Sequence, residues 1–355
     1  MKYHVSIMGL LTMMSSALLV GCGATSEVHQ SASSPFEPLQ PEQTQHVSQH
    51  VYELEHQSAV NFYLAMGNLH QQSQAYCQQN EAIDSVERAW QKGMEQWMWL
   101  QGQERGPTQA LEQNWNIQFW PDKKNTTGRK MTHASLRDHW SVAAIKDESV
   151  TVQGLGAVEW LLFDPKSNLK TNLSSSCSLL IAITGALTER SATIVQAWSV
   201  NPWSTLDDKA WTTEYLALLT NQLDYSMKKL SRPLAKIGAA KPYFSESWRS
   251  QTSMMHLRAN IEALQSLYLA NGQGLDLILR ESGSSELAMS IERQFRFILD
   301  TWPESTSLFE LLQSKNGYRI VLSQYNKLEQ LRYLMSEEAA IKLGVVIGFN
   351  ATDGD

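Results

Sequence analysis

From Val47 to Met335 apolar residues return every three or four positions, and that rhythm constrains the fold more than any other feature of the chain. Val86, Trp90, Met94 and Trp97 form one stripe, Leu179, Ile183, Leu187 and Ile194 a second, and Met254, Leu257, Ile261, Leu264 and Tyr268 a third. A period near 3.6 marks a helix with one buried face, whereas a half-buried strand alternates with period two. Only Leu343 to Phe349 is ambiguous between the two. The expected class is all-α, built as helical bundles. The chain has 355 residues, enough for such a core, and its 12 Trp recur inside the apolar stripes, where they read as core. Asn201-Pro202 punctuates the middle, which sets expected halves at 42–202 and 203–355. The two halves together form one folded body.

The segment Ser149–Asp164 carries the most information about function. Leu155, Val158, Leu161 and Leu162 recur at helical spacing, and one carboxylate, Glu159, stands among them. A carboxylate on such a face must be paired, hydrogen-bonded or placed at a cleft. Gly154 and Gly156 each cost about 1 kcal/mol against Ala inside a helix, so either a second backbone packs close or the helix begins there. Gly156 and Glu159 are three residues apart and share a face. A buried pairing with Arg249 is the structural alternative to a ligand-binding role for Glu159.

The N-terminus reads as a targeting segment, residues 1–21, with Lys2 ahead of the apolar stretch Ile7–Val20. It ends in Leu19-Val20-Gly21-Cys22, which resembles the lipobox of bacterial lipoproteins. That resemblance implies lipidation at Cys22 and a membrane anchor, and Gly23 implies the outer membrane with the body facing the periplasm. Residues 22–41, rich in Ser, Gln, Pro and Glu, are expected to be a flexible tether. Cys77 and Cys177 then remain, either as a disulfide suited to an oxidising compartment or as two separate buried thiols. The formal net charge of -7 argues against a nucleic-acid partner.

Gly154-Leu155-Gly156-Ala157-Val158-Glu159 resembles the Gly-x-His-x-x-Glu motif of the imelysin family, with Gly156 where the family has His. Ala89-Trp90, Arg105-Gly106-Pro107, Trp120-Pro121-Asp122-Lys123, Ser245-Glu246-Ser247-Trp248-Arg249-Ser250 and Gly348–Asp355 extend the resemblance in order along the chain. It implies two helical bundles as pseudo-repeats with the cleft between them. It also implies a cleft site around Glu159, Gly154, Gly156, Arg249 and Ser245, with Asn350 and Asp353 brought near by the tail. Glu159 and Asp353 would be the metal ligands, an oxygen-rich set that suits iron or another divalent cation better than zinc.

A zinc peptidase needs about three protein ligands and an open position. The chain has no His-Glu-x-x-His, no Gly-x-Ser-x-Gly and no phosphate-cradling glycine loop. Ser245, Ser247 and Ser250 have no base evident in the sequence. His46 and His50 have ligand spacing but sit at the solvent-facing start of a helix. The resemblance associates the family with iron acquisition. The favoured expectation is therefore a non-catalytic or weakly catalytic lipoprotein binding iron, haem or an iron-uptake envelope protein. A metallopeptidase and a scaffold that binds no metal are its rivals. Cys22→Ala is expected to abolish incorporation of labelled palmitate in cells; label retained on that variant would remove the anchor assignment.

Overall fold

A computed structural model describes residues 46–346 except residue 172. Expectations for residues 1–41, including Cys22 and the tether, and for Asn350 and Asp353 lie outside the described residues. The fold is all-α. The first half contains α1 (Gln49–Cys77), α2 (Ile83–Trp97), α3 (Thr108–Leu111), α4 (Asn114–Ile117), α5 (Thr126–Ala134), α6 (Val142–Lys146), α7 (Gly154–Phe163) and α8 (Leu173–Ala197). The second contains α9 (Asp208–Leu234), α10 (Ser253–Leu269), α11 (Leu275–Glu281), α12 (Ser285–Asp300), α13 (Leu308–Leu311), α14 (Lys315–Arg332) and α15 (Ala340–Leu343). A π-helical segment, Tyr333–Ala339, joins the last two.

α1 packs along α2 and α8, and α7 fills the space against α2 and α8. In the second half α9 packs on α10 and α14, and α12 on α10, α11 and α14. α2 shows why: Val86, Ala89, Trp90, Gly93, Met94 and Trp97 are all buried, spaced to lie on one side of a helix. α7 is different, with eight of its ten residues buried, so it is a core helix rather than an amphipathic one. α8 is long and apolar enough to span a membrane by composition, yet 61% of its apolar window is buried in the protein, as in a soluble core helix. Cys77 at the end of α1 and Cys177 in the first turns of α8 are bonded to each other. Their sequence separation of 100 makes this a long-range staple, worth about 4–5 kcal/mol in the chain-entropy account.

Several expected helices are shorter than the periodicity suggests. The spacing predicts helix from Ser247, but α10 starts at Ser253 because Ser247 (φ 50°) and Gln251 (φ 59°) are left-handed. A single helix over 305–335 is expected, but Ser314 caps a new one, its hydroxyl accepting from Gly317 N at 2.9 Å. Helix over 134–145 is replaced by the end of α5 and the start of α6, where Ser141 is the cap.

Polar contacts cross between the halves. Lys229 Nζ on α9 is 2.8 Å from Glu246 and 2.5 Å from Asn260 Oδ1. Asn260 and Gln101 then tie this pair to the segment after α2, through Met98 O at 2.6 Å and Glu246 Oε1 at 2.7 Å. His46 is engaged in the same kind of contact, with Nε2 2.7 Å from Leu206 O, and is therefore a structural residue. Glu55 on α1 is fully buried and accepts from Gln103 Nε2 at 2.7 Å. Burial pushes its carboxyl up to about 8, against the opposing pull of the Gln103 hydrogen bond.

The folded chain thus holds a proton on Glu55 that the unfolded chain releases near 4.5, so stability falls as pH rises between those values and levels off above about 8. Glu55→Gln is expected to flatten that slope and to exceed the parent by about 2–4 kcal/mol at pH 9, with near equality at pH 5. Urea unfolding at the two pH values measures this; parallel pH profiles for the two proteins would contradict it.

Candidate functional site

The site is built from the first turns of α7 and the turn 245–252 that precedes α10. α7 begins at Gly154, whose φ of +73° no side chain adopts readily. A Cβ there would stand 2.3 Å from Ile117 O, so the helix starts at this residue and a second backbone also packs against it. Gly156 is the opposite case, because a Cβ built on it meets nothing within 4 Å. It faces a cavity of about 40 Å³, bordered also by Gln118, Trp120, Glu159, Ser245 and Ser247. That space holds about one or two waters.

Glu159 is buried, and its Oε1 accepts three hydrogen bonds from the turn. Arg249 N donates at 3.1 Å, Ser250 N at 3.0 Å and Ser250 Oγ at 3.0 Å. Burial raises its pKa; the Arg249 charge and the three donors pull the other way. The expected Arg249 contact is therefore present in a different form. Its main-chain N–H reaches Glu159, while its guanidinium goes to Asp164, Nε to Oδ2 at 2.7 Å, and to Asn125 Oδ1 at 2.7 Å. The guanidinium carbon also lies 4.3 Å from the centre of the Trp248 ring. Asp164 is the C-cap residue of α7, and its side chain, 9% exposed against 5% for Arg249, forms a nearly buried ion pair with the guanidinium.

Ser245 is buried beside the cavity, and its Oγ has no partner among the described residues. Ser247 has a base that the sequence did not reveal: its Oγ is 3.0 Å from His256 Nδ1. His256 is fully buried, and burial together with the Lys229 charge holds its pKa down at about 3. Its Nε2 has no partner among the described residues, so no carboxylate orients the ring as a nucleophile–base–acid constellation requires. With so small a cavity beside it, the pair fixes the left-handed turn. Among the described residues no group of three or more His, Cys, Asp and Glu is placed to hold a metal ion.

Asp164, Asn125, His256 and the Lys229–Glu246 pair were missed by sequence reasoning. Asp164 gave only a weak signal, as the acid that ends an apolar run. Ser250 lay within a stretch already singled out, but not its role as the double donor to Glu159.

The geometry defines an all-helical protein with a buried carboxylate under a serine-rich turn, beside a small cavity. The Imelysin family model, Peptidase M75, matches residues 56–335. The chain belongs to the Imelysin family. Among solved structures it is similar to an imelysin-like protein from Psychrobacter arcticum 273-4, with 17% identity over 85% of this chain and 96% of that one, and a TM-score of 0.70. It is also similar to a protein from Parabacteroides distasonis ATCC 8503 assigned as iron-regulated protein A precursor, with 12% identity, 86% and 98% coverage, and a TM-score of 0.63. No curated protein matches.

Glu159→Ala leaves three donors of the turn without their acceptor and is expected to cost about 2–4 kcal/mol, whereas Glu159→Gln, which keeps an oxygen acceptor, costs less than half of that. Chemical denaturation measures both. Equal stability of Glu159→Ala and the parent would mean that the carboxylate does not hold the turn.

Proposed function

We propose that this protein is a non-catalytic binding protein of the cell envelope that serves iron acquisition and takes its ligand or partner in the cleft between its halves. The lipobox at Cys22 supports the envelope location: an acyl anchor there would hold the body at the outer membrane, facing the periplasm. The iron-regulated neighbour supports the link with iron.

The observation that carries the reading is the pair Gly156 and Glu159. The family's nitrogen ligand is replaced by open space, and the remaining carboxylate already receives three hydrogen bonds. The other two acids at the small cavity are also committed. Asp122 accepts from Thr126 N at 2.6 Å and Thr127 N at 2.9 Å, and Glu246 pairs with Lys229. The donor set among the described residues therefore does not fit a resident iron or zinc ion, which needs several ligands converging on one point. Iron would reach this cleft as a complex such as haem, or through an iron-uptake partner protein. Peptidase chemistry by the family's metal motif lacks its nitrogen ligand here.

Calorimetric titration of residues 41–355 with ferrous, ferric and zinc ions tests this. The parent and Glu159→Gln are both expected to show no binding tighter than about millimolar. Gly156→His, whose Cβ meets nothing within 4 Å, is expected to gain zinc affinity over the parent. Micromolar binding by the parent that is lost in Glu159→Gln would establish a metal site and overturn the reading.

A further inference from the structure

Beside the small cavity, and sharing Gln118, Phe119, Trp120 and Asp122 with it, lies a pocket of about 610 Å³. Its walls come from both halves, residues 97–126 of the first and Tyr225, Lys228 and Arg232 of the second. The volume falls within the ordinary range for small-molecule sites. Two features of this pocket call for a particular ligand.

The first is aromatic surface. Trp115 and Phe119 lie with ring centres 5.7 Å apart, Trp120 and Tyr225 likewise at 5.7 Å, and Trp115 is 55% exposed. An exposed tryptophan next to a hollow lined by further rings offers faces for a planar apolar body. The second is charge. The chain is acidic overall, yet the pocket is bordered by Lys123, Lys124, Lys228 and Arg232 against two acids, Asp122 and Glu104. Both carboxylate oxygens of Asp122 are taken by main-chain donors at the start of α5. Lys123, Lys124 and Arg232 make no ion pair with any carboxylate among the described residues; Arg232 instead lies over Trp120, 5.8 Å from the ring centre.

From these features we infer that the pocket is a binding site for a planar aromatic organic anion. Its rings lie against Trp115, Phe119 and Trp120, and its anionic group meets Arg232 and Lys123. The inference names a ligand class for the cleft, and rests on the binding-protein reading only in taking that cleft as a binding site. It requires no iron.

The test is calorimetry on the full-length chain in detergent with EDTA throughout, so that failure of the metal reading leaves this result untouched. The probes are 2-naphthoate, 2-naphthol and inorganic phosphate. Saturable one-to-one binding of 2-naphthoate is expected, with 2-naphthol about tenfold weaker because it lacks the anionic contact. Phosphate alone, without an aromatic body, is expected to give no measurable binding. The double variant Arg232→Gln, Lys123→Gln is expected to lose about tenfold for 2-naphthoate and nothing for 2-naphthol. Trp115→Ala, at an exposed position that leaves the core intact, is expected to weaken both aromatic probes. Circular dichroism confirms that each variant is folded. Absence of saturable 2-naphthoate binding by the folded parent overturns the inference. So does equal affinity for 2-naphthoate and 2-naphthol, or an unchanged affinity in both variants.

Discussion

The turn 245–252 is held down by one acceptor. Glu159 Oε1 takes two main-chain N–H groups and one hydroxyl from Arg249 and Ser250, and α7 brings that oxygen there from within the core. The turn, left-handed at Ser247 and Gln251, closes on itself through Thr252 N to Ser247 O at 3.3 Å and Ser250 Oγ to Ser247 O at 3.1 Å, and Glu159 accepts the main-chain N–H groups of Arg249 and Ser250. Its donors would be left unpaired in a buried place without the carboxylate, and an unpaired buried donor is costlier than the bond it forgoes. Through this turn the start of α10 is fixed relative to α7, one helix from each half. The guanidinium of Arg249 adds a second tie by reaching Asp164 at the far end of the same helix. One short turn therefore clamps α7 at two points, and both points are acidic residues of the first half meeting main chain or side chain of the second.

The same logic recurs one layer deeper. Lys229 and Glu246, each 2% exposed, are a buried ion pair whose desolvation is offset only because Asn260 and Gln101 complete their hydrogen bonds. Glu246 and Arg249 belong to the same turn. Polar groups of α9, α10, the turn and the segment after α2 thus pair with one another, while the apolar stripes supply the bulk of the burial. Lys229 also accounts for the neutral state of His256, since a positive charge beside a fully buried imidazole opposes a second one.

Much of this was legible beforehand, and the reasons divide cleanly. Helix class followed from the period of the apolar residues, because burial of one face is a local property of sequence. Glu159 was legible because an acid in an apolar run demands an explanation. Gly154 offered two alternatives, and both hold at once. The start of α10 was not legible, since it depends on the left-handed residues Ser247 and Gln251, whose types tolerate many conformations. The partner of the Arg249 guanidinium was misjudged for a related reason. Sequence shows that an arginine and an acid are available, but whether main chain or side chain meets the acid is decided by the path of a turn. His256 lay beyond reach because nothing local to Ser247 announces a histidine nine residues on, across a helix start.

Gly156 shows how far a family motif can be carried. The residue that would supply a nitrogen ligand leaves open space, and no neighbouring side chain among the described residues fills it. A position kept only for packing would be lined by close contacts, as Gly154 is against Ile117 O. Here the hollow has been left beside a carboxylate that no longer needs a metal to justify its burial, since the turn supplies its partners. The two roles of such a carboxylate, ligand and clamp, are separable, and this chain retains the geometry of the clamp. What the cleft recognises then depends on the wider walls around it, where aromatic faces and cations without carboxylate partners set chemical demands that a bare cation does not meet.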